Sequence, residues 1–195
     1  MFQVGLTGGI GSGKTLVCGV LEKLGVAVYY ADEQARRLMD EDQELKGKIS
    51  DIFGEEAYID GALNRRFLAG RVFGNDKLLS RLNQLVHPVV RRDYTAWLEQ
   101  QKEVPYVVEE AAILFESGAA RWLDLKVLVY APEQLRISRV MGRDGMDEMQ
   151  VRERMKHQMD EEKKRALADI VIVNDDTELL LPRIIEVHQE ILKRI

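Results

Sequence analysis

The chain has 195 residues, 46% of them hydrophobic and 31% charged, with a formal net charge of −5. That length and apolar share suit one domain with a sizeable core and exclude a disordered chain. The negative balance argues against a nucleic-acid-binding surface, which needs a concentrated positive face.

The first predicted element is a strand over Phe2–Leu6, followed at once by Gly8-Gly9-Ile10-Gly11-Ser12-Gly13-Lys14-Thr15. This is a complete phosphate-binding loop, and an amphipathic helix carrying Leu16, Val17, Val20, Leu21 and Leu24 comes next, which is the strand–loop–helix setting the loop needs. Glycines keep side chains away, so successive backbone N–H groups turn inward and cradle the β-phosphate of a nucleoside triphosphate at the positive end of the helix. Lys14 is spaced to bridge the β- and γ-phosphates, and Thr15 to ligate Mg²⁺ through its hydroxyl. Cys18, the only cysteine, falls in this helix as a small buried residue; it excludes an internal disulfide and fits a reducing compartment.

Further strands are predicted at Val26–Tyr30, Tyr106–Val108, Leu125–Tyr130 and Ile170–Val173, separated by material of helical period or high charge. Five strands alternating with helices predict a parallel α/β sheet whose site lies beyond the carboxyl ends of the strands. At one such end stands Asp32. It can accept the proton of an attacking hydroxyl, or it can cap a helix beginning at Glu33, and position alone does not choose. Glu109, Glu110 and Glu116 follow the third strand, where an acid often supports Mg²⁺, and any of the three could serve.

Residues 33–104 are too many for a single crossover helix, so an inserted helical lobe is expected over about 60–100. In it, Leu63-Asn64-Arg65-Arg66 with Leu68 and Val72-Phe73 mixes basic and apolar side chains, as either a ligand site or an ordinary amphipathic helix does. His87-Pro88 interrupts a helical run and predicts a kink. Residues 134–165 read as a mobile charged lid in which Arg136, Arg139 and Arg143 project from one face, placed to meet charge on a γ-phosphate. Neither a basic leader followed by an apolar stretch nor a membrane-length apolar run occurs, so a cytoplasmic protein is expected.

Taken together, Thr7 to Thr15, the Ala31-Asp32 step, Leu63-Asn64-Arg65 with Val72-Phe73, His87-Pro88, Leu114-Phe115-Glu116 and the Arg139, Arg143, Gln158 series resemble the dephospho-CoA kinase family nearly end to end. The resemblance implies a three-layer α/β/α P-loop kinase fold and transfer of the ATP γ-phosphate to the ribose 3′-hydroxyl of dephospho-CoA, the last step of CoA biosynthesis. On that likeness Asp32 is the general base, and Lys14 and Arg139 stabilise the transferring charge. Gly9, Gly11, Ser12, Gly13, Lys14, Thr15, Leu16, Arg143 and Asn174 meet ATP, with Mg²⁺ on Thr15. Thr7, Asp32, Arg65 and His87 meet the acceptor, and a monomer with neither nucleic acid nor membrane as partner is expected. Two positions depart from the family pattern: Tyr30 replaces an acid, and Ala112-Ile113 stands where the family often has proline. A kinase for another small acceptor would share the ATP site and differ in the lobe. A nucleotide-dependent switch is the alternative of another class; the Asn-Lys-x-Asp signature of guanine specificity is missing.

Overall fold

The apolar run at the N-terminus forms strand β1 (Gln3–Thr7), the middle strand of a five-stranded parallel sheet in the computed structural model, which describes residues 1–195. After helix α1 (Lys14–Lys23), β2 (Ala27–Tyr30) takes one edge of that sheet. The remaining strands come from the second half of the chain: β5 (Val107–Glu110), β6 (Leu125–Tyr130) and β7 (Ile170–Val173) complete the order β2-β5-β1-β6-β7. A strand flanked on both sides and covered on both faces is predominantly apolar, which is why β1 and β6 are mostly apolar, with Gln3 and Lys126 at their N-terminal ends. Strand β5 carries Glu109 and Glu110, both buried, to its end, two residues beyond the Val108 at which the sequence predicts it to stop.

The chain divides into two compact units, Met1–Tyr30 with Gln101–Ile195, and Ala31–Gln100. In the first, α1 and α9 (Leu180–Leu192) bury Val17, Cys18, Leu21, Ile184, Val187 and Ile191 against Val4, Leu6, Val108, Val127 and Ile172 of the sheet. Inside this layer the Tyr106 hydroxyl and His188 Nδ1 share a hydrogen bond of 2.8 Å, which satisfies two buried polar groups at once. After β6 come α6 (Glu133–Asp144), α7 (Glu148–Lys156) and α8 (Glu161–Leu167). The turns between them have local causes. Gly145 ends α6 in the left-handed region at φ 66°, and Asp147 and Gln150 form a reciprocal capping box at the start of α7.

The second unit begins with α2 (Ala31–Glu41) and α3 (Gln43–Phe53), then a hairpin of β3 (Tyr58–Ile59) and β4 (Ala62–Leu63), then α4 (Arg65–Val72) and α5 (Asp76–Glu99). Asp42, Asn64 and Asn75 each accept a hydrogen bond from the amide three residues on, which fixes where α3, α4 and α5 start. Leu38, Leu45, Ile49, Phe53, Leu68, Leu82 and Val86 form its core. Pro88 does not interrupt α5, which runs 24 residues through it; the carbonyl of Gln84 loses one amide partner, and packing of Leu82 and Val86 on one side of the proline holds the helix together. No helix is long and apolar enough to cross a membrane.

Cys18 is completely buried, and burial, with Glu110 and Glu22 adding repulsion, pushes its thiol well above the usual range. It should therefore resist iodoacetamide at pH 8 in the native chain and alkylate fully in 6 M guanidinium (about the strength that unfolds hyperstable domains), read by intact mass. Rapid native alkylation would contradict the packing of α1 on the sheet.

Candidate active site

Strand β1 ends at Thr7 and helix α1 begins at Lys14, so six residues turn the chain from extended to helical. The last of them, Gly13, has φ 101° and ψ 18°, a left-handed conformation in which a side chain is strained. A Cβ there would also strike the amide of Asn174, which lies just past β7 and donates to the Ser12 carbonyl at 2.8 Å. Ser12 N donates to Gly9 O at 3.1 Å, and the amides of Leu16 and Val17 both turn back to Gly13 O. The first turn of α1 holds no acidic residue, so its positive end is unopposed. Thr7 and Ser12 are fully buried, yet neither hydroxyl makes a hydrogen bond within the chain. Buried hydroxyls are nearly always satisfied, and phosphate oxygens are the acceptors this loop geometry suits. Thr15 and Leu16 lie exposed on the first turn of α1.

Lys14 Nζ donates to Gly8 O at 3.0 Å and lies 3.5 Å from Glu110 Oε1, with both side chains about nine-tenths buried. That pairing separates the three acids. Glu110 reaches the loop lysine, whereas Glu116 accepts from Met159 N at 2.6 Å and pairs with Lys164 at 3.3 Å. Glu109, the preceding residue of β5, points to the opposite face of the sheet by strand alternation. No group of three or more His, Cys, Asp or Glu side chains is placed to hold a metal ion by protein ligands alone. Mg²⁺ usually takes one or two protein oxygens and completes its octahedron with phosphates and water, and the Thr15 hydroxyl and Glu110 carboxylate are hard donors of that kind.

The three arginines of α6 meet three different surroundings. Arg143 is exposed and bonded to its neighbour Asp144 at 2.7 and 3.0 Å. Arg139 donates to Asn174 O at 3.1 Å, to Asn174 Oδ1 at 3.4 Å and to Asp176 Oδ1 at 2.6 Å, so its guanidinium braces the loop after β7. Arg136 is 6% exposed, donates through Nε to Ala131 O at 3.1 Å, and runs beside Gly9 of the phosphate loop. Spacings of three and four put them on one side of the helix; packing against the sheet then buries the first and leaves the last in water. Gln158 also reaches the loop, accepting from Ile10 N at 2.9 Å. The sequence marks Arg136 only as a member of that arginine stripe and does not mark Glu161 or Lys164, because a charged run such as Lys163-Lys164-Arg165 carries no sign of which member is buried.

In the second unit, α2 starts at Ala31 directly from β2, so Asp32 lies within the first helical turn and does not cap a helix beginning at Glu33. Its half-buried carboxylate sits where the helix dipole favours negative charge. Arg65, at the start of α4, is exposed and donates to Asp40 Oδ2 at 3.1 Å. The Leu63 amide, followed by Arg65, holds the Asp40 carboxyl below the usual carboxylate range. His87 is half-buried on α5, and burial lowers its imidazole below the usual range.

A family model for dephospho-CoA kinase (CoaE) matches residues 2–179. The chain belongs to the dephospho-CoA kinase family. A dephospho-CoA kinase of Salinibacter ruber is 46% identical over 180 residues, covering 91% of this chain and 90% of that one. A crystal structure from Thermus thermophilus superposes with a TM-score of 0.87 at 36% identity, covering 98% of this chain and 97% of that one. The dephospho-CoA kinase of Campylobacter jejuni gives 0.70 at 26% identity with the same coverage, 98% and 97%. The family is one of phosphotransferases, and the parallel α/β sheet with its P-loop is the fold of this member.

Replacing Lys14 by Met removes the charge that Glu110 and the loop share. We expect ATP affinity, followed by titration with a fluorescent ATP analogue, to fall roughly 10-fold or more, the scale of a lost charge-assisted hydrogen bond. Wild-type affinity would remove Lys14 from the nucleotide site.

Proposed function

We propose that this chain transfers the γ-phosphoryl group of ATP to the ribose 3′-hydroxyl of dephospho-CoA, giving CoA and ADP. The observation that carries this reading is the phosphate loop with its unbonded Thr7 and Ser12 hydroxyls and its Lys14–Glu110 pair, in a chain that matches the family over residues 2–179.

The loop amides from Gly9 to Thr15 hold the phosphates, and Lys14 Nζ exchanges the Gly8 carbonyl for β- and γ-phosphate oxygens. Thr15 and Glu110 would hold Mg²⁺, which supplies neutralisation of phosphate charge when bound. Asp32 takes the proton of the acceptor hydroxyl as its oxygen bonds to the γ-phosphorus; the bond from that phosphorus to the bridging oxygen breaks, and ADP leaves with the electron pair. Arg139 stabilises the transferring charge by giving up one of its bonds to Asn174 or Asp176, both of which lie beyond β7. Leu16 and Arg143 complete the nucleotide contacts. On the acceptor, Arg65 supplies a cation for a phosphate, while His87, kept neutral near pH 7 by its lowered pKa, supplies a hydrogen bond and not a charge. The chain acts as a cytoplasmic monomer on this reading.

A coupled ADP-release assay with Mg²⁺-ATP tests the assignment. ADP release should depend on dephospho-CoA and yield a product heavier by one phosphoryl group; release indifferent to that acceptor would leave a nucleotide site with a different acceptor or a switch. Within the active enzyme, Asp32→Asn should leave ATP binding nearly intact and lower kcat by roughly 10²-fold or more, the scale of a lost general base. Unchanged kcat would confine Asp32 to stabilising the start of α2.

A further inference from the structure

Four charged side chains form a chain through the interior beside the phosphate loop. Arg136 Nη1 lies 3.9 Å from Glu161 Oε1, Lys164 Nζ lies 3.9 Å from the same oxygen and 3.3 Å from Glu116 Oε1, and Lys164 also donates to the Ala112 carbonyl at 3.0 Å. Lys164 is wholly buried, Arg136 is 6% exposed and the Glu161 side chain 11%. Neither carboxylate oxygen of Glu161 has a well-formed hydrogen bond, so its charge faces the two cations across 3.9 Å, with the Gly9 amide and Lys14 also favouring the ionised form. Burial raises its pKa against the pull of all four. Such an arrangement is a poor source of stability, because desolvation of buried ions offsets most of their attraction. It does fix geometry, since every member restricts where the next can sit.

What it fixes is the entrance of the phosphate loop. A Cβ on Gly9 would overlap Arg136 Nη1 and stand 2.6 Å from Glu161 Oε1, so the loop backbone lies directly against the pair. The adjacent residue, Ile10, is bonded through its amide to Gln158, three residues before Glu161. The same Lys164 reaches the loop after β5, through Ala112 and Glu116, and that loop leads from Glu110, the partner of Lys14. Lys164 thus joins both sides of the phosphate site at one ammonium group.

We propose that Lys164 is a positioning residue for the phosphoryl-transfer site: it holds Glu161, and through it Arg136, against Gly9, and so sets the phosphate loop for ATP. This rests on the kinase reading only for its name. The readout is ATP affinity without acceptor, which stands even if dephospho-CoA is not the acceptor. The test measures the effect of Lys164→Met in two backgrounds, wild type and Glu161→Gln, by titration with a fluorescent ATP analogue on variants checked by circular dichroism. In wild type, Lys164→Met leaves a buried carboxylate with one cation fewer and should weaken ATP about 10-fold or more. In Glu161→Gln the charge it serves is gone, and the penalty should shrink at least about fivefold, the non-additivity expected of coupled neighbours. Lys164→Arg, which keeps the cation, should recover most of the affinity. A Lys164→Met penalty within twofold of zero, or one of equal size in both backgrounds, overturns the proposal. If Lys164→Met does not fold, Arg136→Met, which removes the other cation facing Glu161, is run through the same cycle and judged by the same two outcomes.

Discussion

The site depends on one constraint: a buried central strand must hand over to a helix within the six residues from Gly8 to Gly13. A turn that short can be made only with backbone in conformations that side chains disfavour, and it leaves a row of N–H groups without helical partners. Those amides make the loop a phosphate receptor, and the need to stiffen a glycine-rich turn explains its neighbours. Asn174 closes on the Ser12 carbonyl from beyond β7, Gln158 closes on the Ile10 amide from the segment before α8, and Lys14 folds back onto Gly8. Three separate parts of the chain therefore spend polar side chains on a loop that could not hold its own shape.

The order of the strands makes this possible. Because β1 lies between β5 and β6, the ends of both neighbours open beside the loop: Glu110 arrives from one, Ala131 and Arg136 from the other. A parallel sheet delivers all its carboxyl ends to one edge, so residues more than a hundred positions apart in sequence meet without any long connecting loop.

Much of this was legible in the sequence. The bounds of the five sheet strands follow from their mostly apolar runs to within two residues, and the loop motif identifies itself by spacing. What escaped did so for physical reasons. Strand β5 continues through Glu109 and Glu110, which look like a strand's end until Lys14 is seen to pair with Glu110. Helix α2 begins at Ala31 with no capping residue to announce it, which removes the capping role of Asp32 that the pattern allowed. The β3–β4 hairpin turns at Asp60-Gly61, both at positive φ, a two-residue turn signal easily lost between strands only two residues long. The Arg136, Arg139 and Arg143 series was read correctly as one helical stripe, but periodicity gives a direction and not a depth, so it cannot say that the stripe passes from core to solvent.

The second unit, Ala31–Gln100, enters the chain at the end of β2 and returns it before β5, and those two strands are hydrogen-bonded neighbours. Seventy residues with their own core thus occupy the place where a sheet of this kind needs only a crossover helix. In evolutionary terms the connection is a cassette. The ladder between β2 and β5 is set by backbone and is indifferent to what the crossover contains, so the lobe is free to be lengthened, trimmed or exchanged while the nucleotide half keeps its geometry. Chimaeras cut at Tyr30 and Gln101 would follow a seam the fold already has, and because Asp32 lies just inside that seam the incoming lobe would have to restore an aspartate there.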